Sequence, residues 1–190
     1  MNKTYIEAQT FEKVDFTEKL LAKGDYEHCR FINCNFSNTD LSAINFSDCE
    51  FENCNLTMVK VVKTAFRDIK FKGCKLLGVH FQNCNVFLFS ASFDNCILNL
   101  SSFFKLTLKK NQFKHCSMQE VDFSETDLTG ALFYHCDLLH ATFDRTILEK
   151  ADFRTSVHYI IDPENNRMKK AKFSLAGVNG LLFKYDIEIE

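Results

Sequence analysis

Cysteine is the residue type in this sequence with the most obvious chemistry. Thiols at suitable spacings bind zinc, form disulfides or carry out redox reactions. No two of them form a Cys-x-x-Cys pair, and six recur at intervals of 20 or 22 residues. Such regular spacing favours a structural core ladder of buried thiols that behave as small apolar residues. The nine cysteines are Cys29, Cys34, Cys49, Cys54, Cys74, Cys84, Cys96, Cys116 and Cys136, and the ladder consists of Cys34, Cys54, Cys74, Cys96, Cys116 and Cys136.

Two histidines, His115 and His135, are also 20 residues apart and are predicted to stack on neighbouring turns. Two imidazoles leave a metal site short of a third ligand, so the sequence predicts no metal. It also lacks a Gly-x-Ser-x-Gly nucleophile motif, a His-Glu-x-x-His zinc motif and a glycine-rich phosphate loop. We therefore expect no catalytic residue, no cofactor and a protein that is not an enzyme.

A five-residue period identifies the elements that carry these side chains. Large apolar residues recur every five positions from Phe11 to Val86, and again from Phe93 to Phe153 after a shift of two residues. The residue two positions earlier is usually small, and residues two apart on an extended chain point to the same side. Each unit thus places one small and one large side chain inside and then turns. The sequence predicts a solenoid rather than a flat sheet.

A longer repeat gives the number of units in one turn. The pattern Phe-x-(Asn, Gly or His)-Cys-x-(large apolar) begins at residues 31, 51, 71, 93, 113 and 133. Its 20-residue spacing corresponds to four units per turn, so we predict a four-sided all-β coil. The residue before each cysteine belongs to a type that tolerates the positive φ of tight turns. The phenylalanines predicted to join the core ladder are Phe113, Phe123, Phe133 and Phe143.

This five-residue pattern resembles the pentapeptide-repeat family. The segments at 121–123 (Val-Asp-Phe), 151–153 (Ala-Asp-Phe), and 39–41 and 126–128 (Thr-Asp-Leu) match the small–Asp/Asn–Leu/Phe centre of its repeats. The resemblance implies a right-handed quadrilateral β-helix of about seven turns over residues 9–155. Residues 1–8 are then expected to be an N-terminal cap, and residues 156–190 a C-terminal cap.

The C-terminal segment departs from the repeat. Asp162-Pro163 predicts a turn, Ser174 can cap a short helix, and residues 185–189 alternate like a closing strand. The segment resembles the tail of the quinolone-resistance branch of the family, which implies a homodimer joined through its C-terminal ends. A cap without a dimer role is the alternative. The candidate dimer residues are Leu175, Val178, Leu181, Leu182, Ile187 and Ile189.

Charge lies in bands, although the whole chain has a net charge of only −2: residues 57–80 are basic and residues 111–155 are acidic. The quinolone-resistance branch implies a rod that mimics duplex DNA and binds a type II topoisomerase, DNA gyrase or topoisomerase IV. The alternatives are a structural or interaction scaffold with an unidentified protein partner and, less favoured, direct nucleic-acid binding by the basic band. The candidate acidic partner surface consists of Glu120, Asp122, Glu125, Asp127, Asp137, Asp144, Glu149 and Asp152.

Two irregularities interrupt the five-residue pattern. Lys19 and Gly24 occupy positions that the pattern reserves for small core residues, which predicts an outward bulge over residues 17–25. The two-residue shift at 87–90 is expected to expose an aromatic ring.

No apolar run approaches the roughly 20 residues of a membrane span, so we expect a cytoplasmic protein without a membrane partner.

Overall fold

A computed structural model describes residues 4–87 and 89–188 of the chain. The chain winds as a coil whose sides are short parallel strands or single parallel bridges, and we number the sides 1 to 4 in the order in which the chain visits them. Side 1 is a four-stranded sheet with the strand order β1 (Thr4–Glu7), β3 (Gly24–Glu27), β5 (Asn45–Ser47) and β7 (Ala65–Arg67). Side 2 is a seven-stranded sheet with the strand order β2 (Thr10–Glu12), β4 (Arg30–Ile32), β6 (Glu50–Glu52), β8 (Ile69–Lys72), β9 (Ala91–Asp94), β10 (Gln112–Lys114) and β11 (Leu132–Tyr134).

Single bridges hold the other two sides together. Bridged partners are 20 residues apart, or 22 residues apart across the shift. This register confirms the predicted four-sided all-β solenoid. The bridged residues of side 3 are Asp15, Asn35, Asn55, Lys75, Ile97, Ser117, Asp137 and Val157. On side 4, Asp40 bridges to Lys60, and a second run of bridges joins His80, Ser102, Asp122 and Thr142. Side 1 continues after its last strand through single bridges that join Thr107, Asp127, Ile147 and Arg167.

The corners of the coil use a left-handed backbone conformation. The φ angle is +54° at Asn33, +51° at Asn53 and +52° at His115, as the residue types predict. Leu100 adopts the same conformation with a φ of +61°, although this conformation costs an L-residue roughly 1–2 kcal/mol. A hydrogen bond to the next coil offsets that cost, because the corner amide of Leu100 donates to the carbonyl oxygen of Gln119 at 2.9 Å.

Stacked phenylalanine rings fill the interior of the coil. Phe93, Phe113 and Phe133 stack along side 2 with ring centroids 5.4 and 5.0 Å apart. Phe103 and Phe123 stack along side 4 at 5.3 Å, and the rings of Phe103 and Phe113 meet edge to face with 73° between their planes. Both arrangements suit the charge distribution of an aromatic ring. The predicted core rings Phe113, Phe123, Phe133 and Phe143 are all buried.

The first coil is irregular where the sequence predicts a bulge. Residues 17–20 are exposed, and the Leu20 side chain is 73% exposed. The prediction of a bulge over residues 17–25 is too long, because Leu21 is already buried in the core and Gly24 is the first residue of β3. A Cβ atom at Gly24 would overlap the carbonyl oxygen of Thr4 in β1. Glycine is therefore required here by the close approach of two strands rather than by a turn.

The two-residue shift alters which residue faces inward. A 3-10 helix (Phe81–Asn83) forms the corner before it. The five-residue frame predicts Val86 to be inward, and this is wrong: Val86 is exposed, and the Phe89 ring packs against Phe66 with centroids 6.3 Å apart. Because of the shift, Val86 and Phe89 are two apolar side chains available for one inward position, and the larger side chain, Phe89, occupies it. The ring of Phe87 is 69% exposed, as predicted.

The coil geometry continues beyond residue 155 before the tail begins. Lys172 bridges to Asp152, and the ring of Phe173 stacks on that of Phe153 at 5.3 Å with 2° between the planes. Three short helical segments then follow, and no helix in the described part of the chain is long and apolar enough to cross a membrane. The segments are a 3-10 helix (Leu175–Gly177), α1 (Asn179–Leu182) and a 3-10 helix (Phe183–Tyr185).

The start of the tail agrees with the sequence and its end does not. The Ser174 side chain accepts a hydrogen bond from the amide of Gly177, as the predicted helix cap requires. The predicted closing strand is absent over residues 185–188. Tyr185 instead ends a 3-10 helix, and Asp186 follows in the left-handed conformation, which interrupts an extended chain. Ile189 lies outside the described residues.

Candidate partner surfaces and the interior ladder

The cysteine ladder lies inside the coil on side 3, and all nine cysteines are free and buried. Its thiols are hydrogen-bond donors as well as small side chains. The Cys74 thiol donates to the carbonyl oxygen of Phe51, 23 residues earlier, with Sγ and O 3.3 Å apart. A threonine on side 1 makes the equivalent bond, from the Thr126 hydroxyl to the carbonyl oxygen of Phe103 at 2.8 Å. The small inward position therefore satisfies a buried carbonyl group of the previous coil.

Burial favours the protonated form of Cys49 and Cys84, two of the thiols outside the ladder, and raises the pKa of each to about 12. Within the ladder, hydrogen bonds with Cys54 and Cys96 raise the pKa of the Cys74 thiol. A hydrogen bond with Cys74 lowers the pKa of Cys54, and hydrogen bonds with Cys116 and Cys74 lower the pKa of Cys96. Since the thiolate is the form that binds metal and attacks disulfides, protonated buried thiols are poor at both reactions.

The two predicted histidines stack at the corner between sides 2 and 3. The His115 and His135 rings are parallel within 11°, with centroids 5.4 Å apart. Tyr134 meets both rings edge to face, at 5.2 Å from His115 and 4.3 Å from His135. All three side chains are exposed. They form a small aromatic patch on the outside of the coil.

The eight carboxylates of the candidate acidic surface are distributed around the whole coil. Asp122 lies on side 4, Asp127 on side 1, Asp137 on side 3 and Asp152 on side 2, as their bridges establish. The acidic segment of the sequence is therefore a belt around the coil, and no single side carries all eight carboxylates.

Five of the eight carboxylates contact a lysine or arginine. The ion pairs are Glu125 with Lys105 and Arg145, Asp127 with Lys109, Asp144 with Arg145, Glu149 with Arg167, and Asp152 with Arg154 and Lys172. Asp137 contacts His158 at 2.8 Å. Within residues 4–87 and 89–188, Glu120 and Asp122 have no lysine, arginine or histidine within ion-pair distance. These two carboxylates, together with Asp137 when His158 is neutral, carry the uncompensated negative charge of the belt.

The basic band at 57–80 also surrounds the coil. Lys60 lies on side 4, Arg67 on side 1, Lys70 and Lys72 on side 2, and Lys75 on side 3. The preceding coil compensates part of this charge, because Lys72 forms an ion pair with Glu50 and lowers the pKa of that carboxyl. Lys63, the remaining lysine of the band, is a corner residue with a φ of +58°.

The candidate dimer residues do not share one face. Leu175 is 91% exposed and Ile187 is exposed, whereas Leu181 packs against the core. Val178 and Leu182 are half-buried. The helical turns are too short for one apolar stripe, so the tail presents separate inward and outward side chains.

An apolar cavity of about 940 Å³ lies between the tail and the last coils. Leu182 and Ile187 of the predicted set contribute to its wall. Phe183 lines the same cavity and is not among the predicted residues, although a phenylalanine close to the end of a repeat is itself a signal of an apolar surface. Three exposed apolar residues of the last coils also line the cavity without having been predicted: Leu139, Val157 and Ile160.

Polar contacts fasten the end of the tail over the Asp162-Pro163 turn. The Lys184 ammonium lies 2.7 Å from an Asp162 oxygen and 2.6 Å from a Glu164 oxygen. The hydroxyl of Tyr185 donates to Glu164 at 2.8 Å. These contacts hold the exposed apolar residues of the tail in place beside the last coils.

Comparison with known proteins agrees with this geometry. The family model for the pentapeptide repeat region matches residues 24–87 and 78–153. The chain is similar to HetL, a pentapeptide repeat protein involved in heterocyst differentiation regulation from the cyanobacterium Nostoc sp. strain PCC 7120, with 15% identity over 90% of this chain and 87% of that chain and a TM-score of 0.52. It is also similar to full-length QnrB1, a plasmid-mediated fluoroquinolone resistance protein, with 19% identity over 97% of this chain and 100% of that chain and a TM-score of 0.46. A comparison with curated proteins finds no match. Because the repeat model matches more than half of its length, the chain belongs to the pentapeptide repeat family.

Proposed function

We propose that this chain is a non-enzymatic protein that binds another protein through the outside of its coil. The observation that carries the proposal is the filled interior, where stacked phenylalanines and small side chains occupy the whole coil. Charged and polar groups are consequently confined to outward positions. A solenoid of this kind offers extended sides for recognition.

We further propose that two copies associate through their C-terminal ends. Leu175, Phe183 and Ile187 are exposed apolar side chains in one short segment, beside an apolar cavity. Exposed apolar clusters of this kind are typical of interaction sites. The resemblance of the tail to the quinolone-resistance branch supports the same arrangement.

The first partner that we propose is a type II topoisomerase, DNA gyrase or topoisomerase IV, toward which the coil acts as a mimic of duplex DNA. The resemblance of the tail supports this choice, and a homodimer would present the acidic belt twice. Most carboxylates of the belt form ion pairs with a lysine or an arginine. We therefore assign the contact to Glu120 and Asp122, which have no such ion pair among the described residues.

Supercoiling by purified gyrase, with and without ciprofloxacin, tests this assignment. The expected result is inhibition of supercoiling, or protection from the drug, at micromolar protein. The double variant Glu120→Gln, Asp122→Asn should lose the effect. A matched control with the same change in charge, Asp40→Asn, Glu52→Gln, alters carboxylates of the N-terminal half and should retain it. No effect of the folded wild-type dimer in either assay would contradict the topoisomerase proposal.

The second candidate function is a structural or interaction scaffold with a different protein partner. The exposed aromatic patch of His115, Tyr134 and His135 favours it, because aromatic side chains are enriched at protein interfaces. Capture of a partner whose binding requires Tyr134, together with unchanged gyrase activity, would support this alternative.

A further inference from the structure

One corner of the coil brings together three side chains that ligate metals. Glu27, His28 and Asp48 each offer one ligand atom, and these atoms all lie within 4.8 Å of one another. Glu27 is half-buried, and His28 and Asp48 are exposed. The corner lies between sides 1 and 2 near the N-terminal end, remote from the acidic belt and from the tail.

The repeat itself creates this juxtaposition. Pairing of β3 with β5 places Glu27 opposite Ser47, so the two residues that follow, His28 and Asp48, occupy the same corner of consecutive coils. Both have a φ of +52°, and the His28 amide donates to the Ser47 carbonyl oxygen at 3.0 Å. The backbone therefore fixes the relative positions of the two side chains.

A neighbouring side chain orients the third ligand. The Tyr5 hydroxyl of β1 donates to one carboxylate oxygen of Glu27 at 2.7 Å. The other carboxylate oxygen of Glu27 lies 3.8 Å from the Nε2 atom of His28. Carboxylates that bind metals are commonly oriented by a hydrogen bond of this kind from a neighbouring side chain.

The charge at this corner is the second observation that points to a cation. Glu50, on the next side of the coil, is compensated by Lys72 and Arg30. Among residues 4–87 and 89–188, no lysine or arginine lies within ion-pair distance of Glu27 or Asp48. The next residue of the same corner, Asp68, accepts a hydrogen bond from the Ser90 hydroxyl and adds further negative charge.

We propose that Glu27, His28 and Asp48 bind a first-row divalent cation, with Zn²⁺ as the best match. One imidazole nitrogen and two carboxylate oxygens form a donor set that Zn²⁺ accepts, and the imidazole disfavours Mg²⁺, which prefers oxygen ligands. Three protein ligands leave coordination positions for water or for a carboxylate of a binding partner. The sequence shows no local motif for this site because His28 and Asp48 meet only through the 20-residue period.

Isothermal titration of the folded full-length chain with ZnCl₂ tests the proposal. We expect saturable binding at one site, and at least a tenfold loss of affinity in each of the variants His28→Ala and Asp48→Asn. His140→Ala is the matched control, since His140 is an exposed histidine at another corner, with a φ of +58°. Its affinity should equal that of the wild type. Mg²⁺ should bind at least tenfold more weakly than Zn²⁺.

Two further measurements separate this site from the nine thiols. Mn²⁺ should broaden the amide signals of residues 27, 28 and 48 in the wild type and not in His28→Ala. Co²⁺ should give the weak visible spectrum of nitrogen and oxygen ligands, without a thiolate charge-transfer band. The proposal is overturned if the two variants bind Zn²⁺ like the wild type, if Mn²⁺ leaves these amides unaffected, or if Co²⁺ binds through thiolate.

Discussion

The small residue of each five-residue unit has a second role that its size alone does not indicate. Cysteine, serine and threonine at this position donate to carbonyl oxygens of the previous coil, as Cys74, Ser101 and Thr126 illustrate. Cys84 also occupies the position, and no side-chain hydrogen bond from its thiol is present among the described residues. The frequent cysteine in this chain thus combines a small apolar volume with a donor.

Substitutions of Cys74 can separate these two properties. We expect Cys74→Ala to lower the free energy of unfolding by about 1 kcal/mol more than Cys84→Ala does, because only the first removes a thiol that donates to a buried carbonyl oxygen. Cys74→Ser retains the donor and should be more stable than Cys74→Ala. Urea denaturation measures all three values. Equal losses in the two alanine variants would show that the hydrogen bond contributes nothing.

The ion-paired carboxylates make stability depend on pH in a defined direction. The Arg154 guanidinium lowers the pKa of Asp152, and the Lys184 ammonium lowers the pKa of Asp162. A carboxyl whose pKa is lower in the folded than in the unfolded chain stabilises the fold above its unfolded pKa, and loses that contribution as pH falls through its folded pKa.

We therefore expect the free energy of unfolding to decrease as pH is lowered from about 5 to 2, the range in which carboxyl groups titrate. Asp152→Asn should show a smaller decrease, since one linked carboxyl is removed. The exposure of these groups keeps the effect of each pair modest. Urea denaturation at several pH values measures the slopes, and identical slopes for the wild type and Asp152→Asn would contradict the assignment.

At the scale of the elements, much of the architecture is encoded in the two periods of the sequence. The five-residue period predicts which side chains are inward, and the 20-residue period predicts four sides, because both reflect the same repeated bend. The period fails at Val86, where the inserted residues allow Phe89 to compete for the same space. The regular period also stops at Phe153, although the coil continues beyond it. Phe173 still stacks on Phe153 after an irregular turn that interrupts the five-residue spacing.

The candidate surfaces were harder to predict than the core, for a physical reason. Inward positions are selected by volume, which residue type reveals, whereas the charge of an outward position depends on neighbours 20 residues away. Arg145 compensates Glu125 in this manner, and Tyr5 orients Glu27 across 22 residues. The cluster of Glu27, His28 and Asp48 was missed for the same reason.

The attachment of the first strand gives a prediction at this scale. Gly24→Ala should displace β1, because the added methyl group would overlap the backbone of Thr4. We expect faster hydrogen exchange of amides in residues 4–7 and unchanged protection at β8 and beyond. Gly130→Ala is the control: it strains a corner with a φ of +68° far from β1, and its Cβ would approach nothing closer than the Lys110 side chain at 3.6 Å, so β1 should stay protected. Equal exchange of residues 4–7 in both variants would argue against the close approach.

For the whole molecule, the central question is how many copies act together. The proposed homodimer predicts that Leu175→Glu, which places a charge on a side chain that is 91% exposed, should give a monomer in sedimentation experiments. Leu20→Glu changes a similarly exposed leucine at the opposite end and should remain a dimer. Monomeric wild-type protein at micromolar concentration, or a dimer that Leu175→Glu leaves intact, would contradict association through the tail.

The strict register between coils has a geometric consequence for the spacing of the surfaces along the molecule. Twenty inserted residues would add one full coil and move the tail about 4.8 Å along the axis without turning it, whereas five would rotate it by a quarter of a circle. The distances between the N-terminal corner, the acidic belt and the tail therefore change in steps of one coil when whole coils are inserted. A chain of this kind can be lengthened to fit a longer partner while every site stays on the same side of the coil.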